Sequence, residues 1–261
     1  MNTQIQNNTA ENTWLSKLYK YGKSVNSHDA LKIVAITLMF VDHIGYYLFD
    51  NNSVMRLIGR SAAPLFYFLI GYTGKVNCKP SLLIYGGILS LTGLLFGHTF
   101  WINILYTFIF AYLILLYIPT TKLPVFVSIG LIVALIVANS FLYPYVEYGT
   151  LGIIIAITAH WLKEKVPLAG LWLALALGLH MFWQALVFNL FRTPAFTYGT
   201  LFITLSLWLA LYNYKLINLK IPQLLILPSL FISRYSLDIY FYHVFLLKAY
   251  HLAHKYGYLF F

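Results

Sequence analysis

The feature that most constrains this fold is an apolar run, residues 31–49, that is long enough to cross a bilayer yet contains Asp42 next to His43. An ionisable side chain at the centre of a membrane helix costs about 2.5 to 3.5 kcal/mol, so such a pair is a functional-site hypothesis by default. At about 1.5 Å per residue, Asp42 lies roughly 16 Å along the helix from Leu31, a little past the midplane. We therefore expect the pair in the far half of the membrane.

Similar apolar runs recur along the chain, and only 9% of the 261 residues are charged. Soluble domains carry about 25% charged residues, so the composition predicts one all-α, polytopic membrane bundle. Breaks at charges, prolines and glycines give about ten candidate transmembrane helices. They cover residues 29–49, 56–74, 81–97, 101–118, 123–142, 147–162, 167–190, 195–214, 221–233 and 236–254. The ninth contains Pro222 and Pro228, and it either spans or is re-entrant.

Charge placement predicts the topology. With both termini cytoplasmic, all 13 lysines fall on the inner side and all four arginines on the outer side, which agrees with the positive-inside rule. Residues 1–28 are then a cytoplasmic or interfacial N-terminal segment, and residues 29–261 are the membrane domain. The net charge of +10 is explained by lysines at the membrane surface, and nothing indicates nucleic-acid binding. The single cysteine, Cys78, excludes an internal disulfide and a Cys-based metal cluster.

The four outer arginines are exceptions to the positive-inside rule and require an explanation. Arg192 is explained by contact with lipid headgroups. Arg56 and Arg60 are four residues apart and share a helix face, where two like charges repel unless an anion lies between them. Guanidinium groups bind carboxylates and phosphates through two parallel hydrogen bonds, so we interpret this pair as a substrate-binding element.

Asp42 and His43 are the candidate catalytic residues. Adjacent residues point about 100° apart on a helix, so one of them is expected to face a cavity directly. A buried histidine with a carboxylate nearby can act as a general base. The alternative is structural, with Asp42 paired to Arg56 or Arg60 and His43 joining two helices.

Two further groups of polar and aromatic residues are predicted in the outer half. Residues 234–243 open the last helix, with Ser236 as a possible N-cap, and Tyr240 and His243 share a face three residues apart. The candidate binding residues of this group are Arg234, Tyr240 and His243. The second group lies at two turns, and its candidate binding residues are Trp101, Asn103 and Tyr148.

Two motifs carry a family resemblance. Residues 39–45 read Met-x-x-Asp-His-Ile-Gly, and residues 58–66 read Ile-Gly-Arg-x-Ala-x-Pro-Leu-Phe. Together with weaker matches at 101–105, 148–152 and 235–243, this pattern resembles the TraX family of inner-membrane proteins, whose name-giving member acetylates the amino terminus of conjugative pilin. The resemblance extends from about residue 30 to about residue 248, and its specific part is the first two helices.

The resemblance implies a bacterial inner-membrane acetyltransferase, similar in layout to the glucosaminide acetyltransferases. Acetyl-CoA would enter from the cytoplasm, and the acceptor would lie on the far side of the membrane. A pilin subunit is the first candidate for this acceptor. Asp42 and His43 would be its acid–base centre, by direct transfer or through an acetyl-enzyme. Lysines such as Lys75 and Lys79 would receive the CoA phosphates. No metal is expected.

Two other functions remain open at this level. A surface polysaccharide or a lipid-linked sugar could be the acceptor, bound by outer Trp, Tyr and Asn side chains. Alternatively, the Asp-His pair could relay protons in a secondary transporter, although the internal repeats usual in transporters are not visible in the sequence. A pilus-assembly scaffold would leave the buried Asp and His unexplained.

Overall fold

The computed structural model describes residues 24–73, 80–95, 102–187 and 193–255, apart from the side chains of Leu95 and Lys255. These ranges contain eleven helices and one two-stranded antiparallel sheet. The elements are β1 (Val25–Asn26), α1 (Ser27–Tyr47), α2 (Ser53–Gly59), α3 (Ala62–Thr73), α4 (Pro80–Leu95), α5 (Ile104–Tyr117), α6 (Val125–Leu142), α7 (Leu151–Lys163), α8 (Ala169–Val187), α9 (Pro194–Tyr212), β2 (Asn218–Leu219), α10 (Gln223–Arg234) and α11 (Ser236–Lys255).

The predicted all-α membrane bundle is confirmed, and each of the ten predicted segments contains a helix. Five helical stretches in the described ranges are long and apolar enough to span a bilayer, or six if α10 and α11, bent by 70°, form one broken span. The second stretch joins α2 to α3. Three further apolar helices, α4, α5 and α7, are shorter. The count of about ten spans stays a prediction.

Side-chain contacts fix the direction of the last helix relative to the first. The ring centroid of Phe40 lies 4.3 Å from that of His243, and the ring of Tyr47 lies 5.8 Å from that of His251, so α11 runs in the same direction as α1. Lys248, near the end of α11, therefore belongs to the Tyr47 end of the bundle. The prediction that it shares a side with Lys32 is wrong.

The reason is that α10 does not cross the bundle. Strand β2, just before it, pairs with β1 at the amino end of α1, and Ser233 in its last turn donates to Asp29 Oδ1 over 2.6 Å. Leu230 packs on Val25 at the same end. Arg234 therefore lies at the amino end of α1, opposite to its predicted side. A re-entrant α10 reverses the direction of the helix that follows, which is also at odds with both termini being cytoplasmic.

The most buried helices are α3 and α7, which pack against each other through glycines. A Cβ on Gly71 would collide with the backbone of Ala156, and a Cβ on Gly152 would collide with the ring of Tyr67. Small residues of this kind let membrane helices approach closely. In contrast, α6 and α9 expose most of their apolar side chains, as expected of helices that face lipid.

Candidate active site

Asp42 lies in a buried ion cluster with two arginines. Its Oδ2 atom is 3.0 Å from Arg56 Nη1, and its Oδ1 atom is 3.5 Å from Arg60 Nε. All three side chains are almost fully buried. The expected anion between the two arginines is therefore the Asp42 carboxylate, which matches the structural alternative for this residue.

The local sequence builds this cluster. Asn52 caps α2 by accepting from the backbone N–H groups of Val54 and Met55, both over 3.1 Å, which turns the chain back along α1. Gly59 then lies against Asp42, so closely that a Cβ would collide with the Asp42 backbone. The missing side chain lets α2 approach α1 and brings both guanidinium groups to one carboxylate.

His43 makes a different contact, with the last helix. Its Nδ1 atom is 2.7 Å from His243 Nε2, and the Nδ1–H of His243 donates to the backbone carbonyl of Ile239 over 2.9 Å. With His243 donating at Nδ1, its Nε2 is the acceptor, so His43 donates at Nδ1. The remaining nitrogen, His43 Nε2, then carries a free lone pair, which is the form that a general base requires.

A cavity of about 330 Å³ begins at His43 and follows α1 toward its amino end, where it is lined by His28 and Lys32. From residue 28 to residue 43 it extends about 22 Å at 1.5 Å per residue. Its walls are mostly apolar. They include Met39, Ala62, Ala63, Phe66, Leu69, Ile70, Leu82, Ile104, Leu105, Phe108, Tyr112 and Leu237.

The His43 end of the cavity is polar. Glu147, Tyr148 and Tyr240 line it together with His43. Tyr148 has a positive φ of 64°, a conformation that is uncommon for a residue with a side chain and clusters at functional sites. The guanidinium of Arg60 lies 5.0 Å from the centre of its ring, a cation–π contact, so the ion cluster supports the cavity wall from behind.

Glu147 lies in the connection between α6 and α7, outside the spanning helices. Its Oε2 atom accepts from the backbone N–H of Ile104 over 3.1 Å, and its own N–H donates to the carbonyl of Ile102 over 2.8 Å. Burial raises the pKa of the Glu147 carboxyl, while the charge of Arg60 and the N–H of Ile104 act in the opposite direction.

The structure brings together some of the predicted site residues. His43, Tyr148 and Tyr240 line the cavity, and His243 contacts His43. Asp42, Arg56 and Arg60 form the supporting ion cluster and do not line the cavity. The acid–base role of Asp42 is untested and stays a prediction.

Other predicted residues lie elsewhere. Asn103 is the N-cap of α5: its Oδ1 accepts from Leu105 N–H, and its Nδ2 donates to the carbonyl of Gly86 and to Ser90. Both ends of this amide are thus occupied, and Asn103 does not line the cavity. Arg234 is at the opposite end of α1 from His43. Trp101, Lys75, Lys79 and Arg192 lie outside the described residues.

Sequence reasoning missed two features of this site. It did not select Glu147, although a carboxylate next to an interfacial tyrosine at the start of an apolar run was a usable signal. It also did not pair His243 with His43, because 200 residues separate them and no local pattern joins them. Among the described residues, no group of three or more His, Cys, Asp or Glu side chains is arranged to hold a metal ion.

Comparison with known proteins gives two matches. The model of the TraX protein family matches residues 27–211. An uncharacterized protein of Rickettsia prowazekii (strain Madrid E) is 34% identical over 134 residues, which cover 51% of this chain and 54% of that protein. The match thus spans about half the length of this curated relative. No solved structure matches the chain significantly.

Proposed function

The chain belongs to the TraX family of membrane proteins, and from this membership and the geometry of the cavity we propose that it is an acetyltransferase. It would move an acetyl group from cytoplasmic acetyl-CoA to an acceptor on the far side of the bacterial inner membrane. The first candidate acceptor is the N-terminal amine of a pilin subunit.

One observation carries this proposal: a single long cavity joins the cation Lys32 at one end to His43 at the other. A donor with a charged head and a long, thin arm fits such a shape, because phosphates would stay near the cation while the thioester reaches His43. The apolar walls in between would exclude water from the thioester. Lys75 and Lys79 would add to the cationic end, as the family resemblance implies.

The chemistry assigned to His43 is general base catalysis. Its Nε2 lone pair would take a proton from the acceptor amine as nitrogen attacks the thioester carbonyl, a contribution typically worth about 10²- to 10⁴-fold in rate. The hydrogen bond from Nδ1 to His243 would orient the ring and stabilise the imidazolium that forms. Tyr148 and Tyr240 line the same end of the cavity, and their hydroxyl groups would donate to the developing oxyanion.

Asp42 has a positioning role in this scheme. Its carboxylate holds Arg56 and Arg60, and Arg60 in turn packs on the ring of Tyr148. The ion cluster would therefore shape the wall opposite the base and favour negative charge in the transition state through its excess of one positive charge.

The test is intact-mass analysis of pilin from cells that carry the wild-type gene, the His43→Ala variant or a deletion, at matched protein levels. One acetyl group that is present with the wild type and absent in the other two strains would support both the acceptor and the base. An unchanged pilin mass in all three strains would refute the pilin assignment.

The two other functions predict different results. A sugar acceptor would shift the acetyl group to the surface glycan, but Asn103, one of the residues expected to bind it, uses both ends of its amide within the fold. A proton-coupled transporter would not require CoA. Thermal stabilisation of the purified protein by CoA would therefore favour the enzyme over the transporter.

A further inference from the structure

Glu147 presents a carboxylate to the cavity in a fixed position. Hydrogen bonds anchor its backbone on both sides, from its own N–H to the carbonyl of Ile102 and from Thr150 N–H to Asn139 Oδ1. Its Oε2 atom is held by the backbone N–H of Ile104, whereas the Oε1 atom has no such bond among the described residues. One oxygen thus fixes the side chain, and the other is available at the His43 end of the cavity.

Three other acidic side chains of the fold are bound to partners within the protein. Asp42 is bound by two arginines. Asp29 accepts from the Asn26 N–H in the capping box of α1 and from Ser233, and Asp238 accepts from the hydroxyl of Tyr85 over 2.7 Å. Of the described residues that line the cavity, only Glu147 carries a carboxylate. Its charge is therefore the feature of this end that a cationic ligand would recognise.

We propose that Glu147 binds the ammonium group of the acceptor, next to the base at His43, and thereby selects amine acceptors over hydroxyl acceptors. This inference rests on the proposed function, and it assigns a residue and a chemical class to its acceptor site. The carboxylate forms a charge-assisted hydrogen bond with an ammonium N–H, while the neutral hydroxyl of a sugar gains little from the charge.

The number of protons that leave the acceptor amine agrees with a carboxylate and a base at the same end of the cavity. The ammonium loses one proton to become a nucleophile and a second when the C–N bond has formed and the C–S bond breaks. The thiolate of CoA takes one of these protons, so each turnover on an ammonium releases one proton. His43 Nε2 is the acceptor for a proton leaving the amine. A hydroxyl acceptor would give its one proton to the thiolate and release none.

The experiment compares wild type with Glu147→Gln in nanodiscs. The donor is radiolabelled acetyl-CoA, and the two probes are a short apolar peptide with a free N-terminal amine and the same peptide with an α-hydroxyl in its place. Glutamine keeps an oxygen that accepts from the N–H of Ile104, so the variant removes the charge and retains the anchor. The control is Glu164→Gln, an exposed carboxylate at the end of α7 that does not line the cavity.

For Glu147→Gln we expect the KM of the amine peptide to rise about 30-fold, the lower end for loss of one partner of a buried charge pair, with the KM of acetyl-CoA unchanged. The preference for amine over hydroxyl should fall by a similar factor. Glu164→Gln should behave as wild type. If Glu147→Gln unfolds, Glu147→Asp retains the charge and should retain the amine preference.

Three results would overturn the inference. An amine KM and an amine preference that are the same in Glu147→Gln and wild type would remove Glu147 from the acceptor site and leave the proposed function intact. A folded Glu147→Asp that loses the preference would show that the charge at residue 147 does not select the amine. A wild-type protein that transfers acetyl to neither probe would instead overturn the proposed function, and this inference with it.

Discussion

The two ends of the cavity differ in charge and in construction. The end lined by the first turns of α1 carries the positive charge of Lys32. The end at His43 combines an imidazole, a carboxylate and two tyrosines, and a buried ion cluster packs behind it. Under the proposed function, one cavity would serve two ligands of opposite charge, an anionic donor and a cationic acceptor.

Loss of the ion cluster should have the largest effect. Asp42→Ala leaves two buried arginines without their shared anion, and removal of one partner from a buried pair costs about 3 to 5 kcal/mol. We expect a sharp fall in the thermal unfolding temperature and in the yield of monodisperse protein. Glu164→Ala, at an exposed site, is the matched control. An Asp42→Ala protein as stable as wild type would show that the His43 end does not depend on this cluster.

Loss of the base at His43 should lower the activity and leave the fold intact. His43→Gln removes the Nε2 lone pair, so we expect acetyl transfer to fall about 10²- to 10⁴-fold while acetyl-CoA still stabilises the protein. Transfer rate and thermal shift are measured on the same preparation. A variant with wild-type activity would exclude His43 as the base.

The cationic end should affect the donor alone. Lys32→Met removes a charge at the mouth of the cavity, and we expect the KM of acetyl-CoA to rise about two- to fivefold, as for a solvent-screened ionic contact. The KM of the amine peptide should stay constant. Lys122→Met, an exposed lysine that does not line the cavity, provides the baseline. A larger effect on the acceptor than on the donor would reverse the assignment of the two ends.

The smallest effect concerns stability and pH. The pKa of Glu147 is raised in the fold, so its protonated form favours folding, and this contribution is present at low pH and lost as the pH rises through the folded pKa. We expect the unfolding temperature of wild type, relative to Glu147→Gln, to decrease from acidic to neutral pH. A difference that is constant across this range would contradict the burial of the charge.

Much of the fold follows from local patterns. Apolar runs located all ten helical segments, and the Asn at position 52 with Gly59 accounts for the tight return of α2 along α1. The four-residue spacing of Arg56 and Arg60 predicted an anion between them, and this anion is the Asp42 carboxylate; the substrate-binding role of the pair stays a prediction. What failed was the direction of α11, because a hydrophobic segment with two prolines reads alike whether it crosses the bundle or packs at one end, as α10 does.

The site was predicted less completely than the fold. A sequence pattern can mark His43 as unusual, because an imidazole in an apolar run is rare, but it cannot show that His243 fixes its tautomer from another helix. Asn103 illustrates the opposite error. An interfacial asparagine resembles a binding residue, yet the need to cap α5 and to satisfy buried backbone groups explains it fully.

Sealed proteoliposomes test whether acetyl crosses the membrane through this cavity. Radiolabelled acetyl-CoA is supplied outside, and a short free-amine peptide is present either inside the vesicles or outside. We expect label on the enclosed peptide with wild-type protein and none with His43→Gln. Label that reaches only peptide on the same side as acetyl-CoA, or equal labelling by both proteins, would contradict this expectation.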